Sequence, residues 1–423
     1  MSKKLTPLTD LIDEISMGPF GSDIKVENFV SFGVPVLNGS NLTGFRLVED
    51  KFKYVTEEKS KTYKKAIARR GDIVVTHRGT LGQISFVPEN SKFDSYVISQ
   101  SQFRVRLKTE KAIPAFFVYY FHTPEGQKRL LSFKSHVGVP ALAQATTNFR
   151  QLEIPLPDIS SQQKIAAVLS ALDAKIACNN RINAELEAMA KTLYDYWFVQ
   201  FDFPFDFAQG RPDAKGQPYQ SSGGKMVYNP TLKREIPAGW KVKQLSQIAN
   251  ITMGHSPLGE SLNQSKDGVE FFQGSTDFGW QFPTVRQYTT QVTRMAKRGD
   301  ILLSVRAPVG DMNIANLDCC IGRGLAALNS RDGFDGFLFY VMKYFKTIFD
   351  RRNSEGTTFG SITKDDLHSL PLAYPQTELL MEYDKVVSKY NQMVFARSME
   401  NQHLTQLRDW LLPMLMNGQV TVE

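Results

Sequence analysis

Cysteine is scarce in this 423-residue chain, which has only Cys178, Cys319 and Cys320. Three thiols build no disulfide framework and none sits at metal-ligand spacing, so a reducing, cytoplasmic setting is expected. Long apolar runs are missing too. No stretch approaches the ~18 apolar residues that a bilayer crossing needs. The opening MSKKLTPLTDLIDE puts no apolar core behind its lysines, so no secretory leader is expected.

The signatures of catalysis are equally thin. The six histidines, His77, His122, His136, His255, His368 and His403, are scattered, with none at i, i+4. SSGGKM offers Gly-Gly-Lys without the earlier P-loop glycine, and Met226 stands where Ser or Thr would hold magnesium. No GxGxxG follows a strand-like run. NPTL at Asn229 has Thr231 and Leu232 where an adenine methyltransferase loop needs Pro and an aromatic ring. PDAK (Pro212–Lys215) lies in a Gly/Pro segment with no strand to aim its carboxylate at a metal, so it reads as a solvated turn. The chain is expected not to be an enzyme and to carry no metal or cofactor. Its charge balance, 50 Lys+Arg against 43 Asp+Glu, permits a polyanionic partner without demanding one.

What the chain does have, it has twice. ARRGDIVVTHRGTLGQISFV (Ala68–Val87) returns as AKRGDILLSVRAPVGDMNIA (Ala296–Ala315). EISMGPF answers NITMGHS, GVPVLNGSN answers GVEFFQGST, AFFVYYF answers GFLFYVM, and LEIPLPDISSQQK answers HSLPLAYPQTELL. The offset between the copies shrinks along the chain, as loop insertions and deletions produce. Each copy reads as short β segments (DIVVTH, QISFVP, SQFRVRL; DILLSVR, MNIANL, GLAALN), a short helix and a proline-rich exit into a long helix. In each RGD the simplest reading is a tight turn with Gly at positive φ and Asp capping it, rather than an adhesion ligand.

The long helical segments span Ser161–Phe198 and Gln376–Met416. The first alternates spacings of three and four through Leu169, Leu172, Ile176, Asn179, Asn183, Leu186, Ala190, Leu193 and Trp197, a coiled-coil seam with two asparagines that suit a register-fixing role. The second repeats the phase through Tyr383, Val387, Tyr390, Val394, Arg397, Asn401, Leu404, Arg408, Leu411 and Leu415, with a more polar seam. Packing the two on each other is the economical solution; the alternative is two unrelated helices folded onto their own domains. The expected fold is α+β: two repeated β-rich domains separated by a coiled coil of two long helices. The expected bounds are 1–157 and 241–375 for the repeated domains, 158–200 and 376–423 for the helices, and 201–240 for an extended connector anchored by Phe201, Phe203 and Phe205.

This order of parts, with YWFVQFDFP…GQPYQSSGGKMVYNPTLKREIPAGW joining the halves, resembles the specificity subunit of type I restriction-modification systems. The resemblance covers essentially the whole chain. It implies two target recognition domains, each reading half of a split site on double-stranded DNA, and helices that dock two methyltransferase subunits, with restriction subunits joining through them. It also implies that S-adenosylmethionine, ATP and magnesium belong to those partners. A rod of roughly 57 Å fits half-sites about 10–15 base pairs apart.

Candidate DNA contacts are polar and basic residues at strand ends and loops. In the first copy they are Asn38, Ser40, Asn41, His77, Arg78, Thr80, Gln100 and Gln102, and in the second Gln273, Ser275, Thr276, Ser304, Arg306, Arg323 and Thr358. Asn and Gln pair with adenine and Arg with guanine, while Ser and Thr hold phosphates. Arg78 and Arg306 stand out because both follow the same strand, yet Ala307-Pro308 replaces Gly79-Thr80 after it, so the loops are expected to read different bases. Two alternatives stay open: a self-sufficient nuclease or modification enzyme with duplicated DNA-binding domains, and a coiled-coil adaptor that binds no DNA.

Overall fold

The computed structural model describes residues 5–19, 23–135, 139–306, 308–354 and 361–422. The chain forms two units, one of residues 1–178 with 401–423 and the other of residues 179–400.

In the first unit a four-stranded antiparallel sheet has the order Ile12–Met17, Gln102–Leu107, Ile73–Thr76, Ile84–Phe86. A second sheet has the order Lys53–Val55, Val34–Val36, Ser95–Val97, Ile67–Arg69, its middle pair parallel. The second unit repeats both. Its antiparallel sheet runs Ala249–Met253, Leu325–Ser330, Ile301–Ser304, Met312–Ile314. Its other sheet runs Gln287–Thr289, Val269–Phe272, Cys319–Ile321, Met295–Ala296, again with the middle pair parallel, plus an extra edge strand Leu262–Asn263. Each unit also pairs its entry strand with its exit strand: Leu5–Pro7 with Glu153–Pro155, and Lys241–Gln244 with Pro371–Tyr374. The repetition is thus one of topology and register.

Local chemistry explains the repeated motifs. The glycine of each MG is dictated by close approach: a Cβ on Gly18 would lie 2.0 Å from the Ser99 carbonyl oxygen, and one on Gly254 2.2 Å from that of Gly322. Each RGD is a turn with glycine at positive φ, 80° at Gly71 and 97° at Gly299. Its Asp accepts the backbone N–H three residues earlier, Arg69 to Asp72 at 2.9 Å and Lys297 to Asp300 at 2.8 Å. The copies differ in which side chain meets the carboxylate. Arg106 clamps Asp72 through two bonds of 2.7 and 2.8 Å, and Glu14 pairs with Arg104 beside it. At the equivalent places Asn329 donates to Asp300 at 2.9 Å and Asn250 donates to Asn329 at 2.9 Å. One copy solves the turn with charge, the other with neutral amides.

The first long helix spans Ile159–Tyr194 and widens into a π-type turn at Asp195–Val199. Asp158 caps it, accepting from Ser161 N at 2.9 Å and Ser161 Oγ at 2.7 Å. The second spans Thr377–Asn417 and ends at Gly418, whose φ of 73° suits a helix stop. Within each unit the helices pack antiparallel. In the first unit Leu169 shares a core with Leu412, Leu415 and Met416, and Asp173 accepts from Arg408 at 2.9 Å. Leu172, Ile176, Leu404 and Leu411 are half-buried there. In the second unit Leu186 and Val394 pack with Tyr390, while Ala190 and Leu193 join Tyr383 and Val387. Asn179 and Asn183, each 1% exposed, donate to Glu400 (2.8 Å) and Ser398 (3.2 Å), forming a polar layer in the seam.

The segment expected as an extended connector is folded. Pro204–Asp206 is the centre of a three-stranded sheet with Arg211–Pro212 and Gln217–Pro218, and Met226–Asn229 pairs with Arg234–Pro237. The reason is visible in FDFPFDF, whose aromatics recur every second residue as in a strand. Phe203 stacks on Tyr219 at 4.8 Å and Trp240 at 5.4 Å; Phe201 is buried beside it and Phe205 is half-buried. PDAK is a turn in which Asp213 accepts from Lys215 N at 2.8 Å, and the Asn229 amide likewise caps NPTL, accepting from Thr231 N at 3.0 Å.

Candidate nucleic-acid interface

Three loops meet at one edge of the first unit. The hairpin after Ile73–Thr76 carries His77, Arg78 and Thr80; a turn at 99–102 carries Gln100; and the 3-10 turn Gly39–Leu42 is capped by Asn38. Hydrogen bonds tie them together. His77 N donates to Ser101 O (2.9 Å), the His77 ring Nε2 to Gln100 O (3.1 Å), and Gln83 Nε2 to Gly39 O (3.0 Å). Burial lowers the His77 pKa, aided by the Arg78 charge and opposed by the bond to Gln100 O, so the ring is neutral at physiological pH and acts as a brace. Arg78, Thr80, Ser40 and Gln100 are exposed on this edge.

Asn41 and Gln102 leave the list of surface contacts. The Asn41 amide accepts from Asn38 N at 3.0 Å and donates to Val48 O and Asp50 O, both at 2.9 Å, inside the fold. Gln102 is also buried, with Oε1 accepting from Ser99 N at 2.9 Å. Both hold the loops that present their neighbours. Asn38 is half-buried and folds back on its own turn, accepting from Ser40 N (2.8 Å) and Ser40 Oγ (2.6 Å).

The second unit builds the same edge from different side chains. Val305 N donates to Gly324 O at 2.9 Å, as His77 N does to Ser101 O, which places Arg306 beside the turn that carries Arg323. Gln273, at the place of Asn38, donates through Nε2 to Ser256 Oγ (3.0 Å), and the same hydroxyl accepts from Arg323 N at 3.2 Å. Arg306, Arg323, Gln273 and Thr276 are exposed and Ser275 is half-buried. Ser304 is internal, its hydroxyl donating to Arg306 O at 2.8 Å, so it too leaves the list of contacts. Thr358 lies outside the described residues. Ser256 was not singled out from sequence, although its place two residues after the MG glycine marks it.

The repeat and its loop edges coincide with a known family. The model of the type I restriction modification DNA specificity domain matches residues 22–188 and again 237–389. The chain belongs to this family. Among curated proteins, this specificity-domain chain is 26% identical over 407 residues to a putative type I restriction enzyme MjaX specificity subunit from Methanocaldococcus jannaschii, covering 94% of this chain and 89% of that one. It is 24% identical over 421 residues to the type I restriction enzyme HindI specificity subunit of Haemophilus influenzae, covering 84% and 88%. The solved type I restriction-modification S subunit from M. genitalium shares the fold at a TM-score of 0.61 and 15% identity, covering 97% of this chain and 95% of that one. Among the described residues no helix is long and apolar enough to cross a membrane. Among them, too, no three His, Cys, Asp or Glu side chains are grouped to hold a metal ion.

Proposed function

We propose that this chain is the DNA-reading subunit of a type I restriction-modification complex. Each unit reads one half of a split, asymmetric target, and the paired helices dock two methyltransferase subunits through which restriction subunits join. Bond making belongs to those partners, with their S-adenosylmethionine, ATP and magnesium. One observation carries the reading: a single loop edge, built twice on the same strand register, presents Arg78, Gln100 and Ser40 in one copy and Arg306, Arg323 and Gln273 in the other. A shared scaffold with unlike amide and guanidinium groups is what two different base sequences require, since Arg pairs bidentately with guanine and Gln with adenine. The family match over both copies supports the same conclusion.

The test is to assemble the chain with its methyltransferase partners and map methylation on duplexes carrying the two half-sites at varied spacing. Methylation confined to one bipartite sequence and one spacing is expected. Binding should fall steeply with salt, because phosphate contacts release counterions; an adaptor without DNA contacts has no such dependence. Cleavage or methylation by the purified chain alone, given magnesium and S-adenosylmethionine, would overturn the reading.

A further inference from the structure

The reading edges differ in one respect that neither the repeat nor the family match explains. In the first unit a cavity of about 440 Å³ opens beside the edge, walled by Phe29, Val36 and Leu37 and rimmed by Asn38 and Gln100. In the second unit larger side chains crowd the equivalent strand positions. Val36 pairs in parallel with Val97 as Phe271 pairs with Cys320, so Phe271 stands where Val36 does. Its ring lies within 3.0 Å of where a Cβ on Gly322 would sit, and Gln273 crosses to bond Ser256. In the first unit Val36 is smaller and Asn38 is folded back onto Ser40, so the space stays open.

We propose that this pocket receives one unstacked nucleobase from the first half-site, an inference that rests on the DNA-reading function proposed above. Its volume lies in the range of roughly 300–1,000 Å³ typical of pockets that hold small molecules. Phe29 supplies an aromatic wall, and stacking on such a ring accepts the π-face of any base. The Gln100 amide is exposed at the rim and offers both a donor and an acceptor to a base edge. Lys53 is exposed with its ammonium 4.9 Å from the Phe29 ring centroid, a positive charge suited to the phosphate of the extruded nucleotide. His77 binds the Gln100 carbonyl, so the rim is fixed to the loop that carries Arg78 and Thr80, which puts the pocket beside the proposed reading edge. The first unit thus reads one base inside a pocket, and the second reads its half-site with side chains alone.

The cost of extrusion is the broken pair and lost stacking, and it is least where the base is already unpaired. The experiment uses this. In the assembled complex, bases opposite each position of the first half-site are replaced one at a time by an abasic residue, and the affinity for each duplex is measured. At one position other than the methylated base, removal of the partner should tighten binding several-fold; elsewhere it should weaken binding. Val36→Phe, which installs the second unit's side chain, should abolish that tightening while methylation at the second half-site persists. Phe29→Ala, which adds no bulk, should reduce it. If no such position tightens binding while the native complex still binds its target specifically, the pocket is not a base receiver and the inference falls. It falls equally if Val36→Phe blocks assembly with a partner subunit, because the cavity is then a seat for that subunit's apolar side chain. A complex with no sequence-specific binding at all would instead refute the proposed function.

Discussion

Arg106 and Asp72 offer the sharpest test of how the first reader is built. The Asp72 side chain is 1% exposed and takes two bonds from Arg106, of 2.7 and 2.8 Å. Arg106→Ala leaves that carboxylate with the Arg69 N–H at 2.9 Å and the more distant Arg104 at 3.7 Å. Stranding one partner of a buried pair costs about 3–5 kcal/mol. Arg106 is itself 36% exposed, so solvent screening brings the expected loss down to about 2–3 kcal/mol. Hydrogen exchange of the Gln102–Leu107 amides reads this directly, and protection should fall roughly 30- to 150-fold, at about 1.4 kcal/mol per tenfold. Leu325–Ser330 in the second unit should be unchanged and serves as the internal control. Arg106→Asn puts an amide where Asn329 stands in the second unit while Glu14 stays paired with Arg104, and it should recover stability to within about 1 kcal/mol of the native chain. A loss below about 1 kcal/mol for Arg106→Ala would mean that the turn satisfies Asp72 by itself, and the argument from a stranded charge would fail.

Glu14 makes the same sheet acid-sensitive. Burial raises its pKa, but the hydrogen bond and charge of Arg104 and the charge of Arg106 outweigh that and hold it below its ordinary 4.5. A depressed acid contributes stability above its unfolded value that is lost as pH falls through the folded one, so protection of the first unit's sheet should decline below about pH 4.5. Glu14→Gln should flatten the decline. Arg78→Ala should weaken binding at one half-site by about 1–3 kcal/mol and leave the other intact; footprinting that finds equal loss at both would refute its placement. Gly18→Ala drives a Cβ to 2.0 Å from the Ser99 carbonyl oxygen and should lower the melting temperature of the first unit, while Gly44→Ala, whose Cβ would meet nothing nearer than 3.8 Å, should not.

The sequence was most legible where backbone geometry dictates the residue. Both RGD turns need a glycine at positive φ and an aspartate acceptor three residues after the donor, and those requirements survive in the letters themselves. The short apolar runs in DIVVTH and DILLSVR, bounded by turn residues, likewise marked strands that lie at matching places in both sheets. Polarity was a poorer guide to exposure. Asn41, Gln102 and Ser304 look like surface groups, yet each spends its side chain on backbone atoms that a loop cannot leave unpaired inside the fold. The connector misled for the opposite reason: its Gly and Pro residues suggested open chain, while alternating Phe201, Phe203 and Phe205 built a small aromatic core. The pocket beside Gln100 was out of reach altogether, because Val36 against Phe271 looks like an ordinary apolar exchange until their strand partners are known.

The first reader is closed by a segment far downstream in the chain. Residues 401–423 belong to its unit, and Leu412, Leu415 and Met416 sit in the core that also holds Phe116, Phe117 and Leu169. On the ribosome, residues 179–400 have all been made before that core has its last wall. A stop codon at Asn401 would therefore damage the reader encoded first and spare the one encoded second.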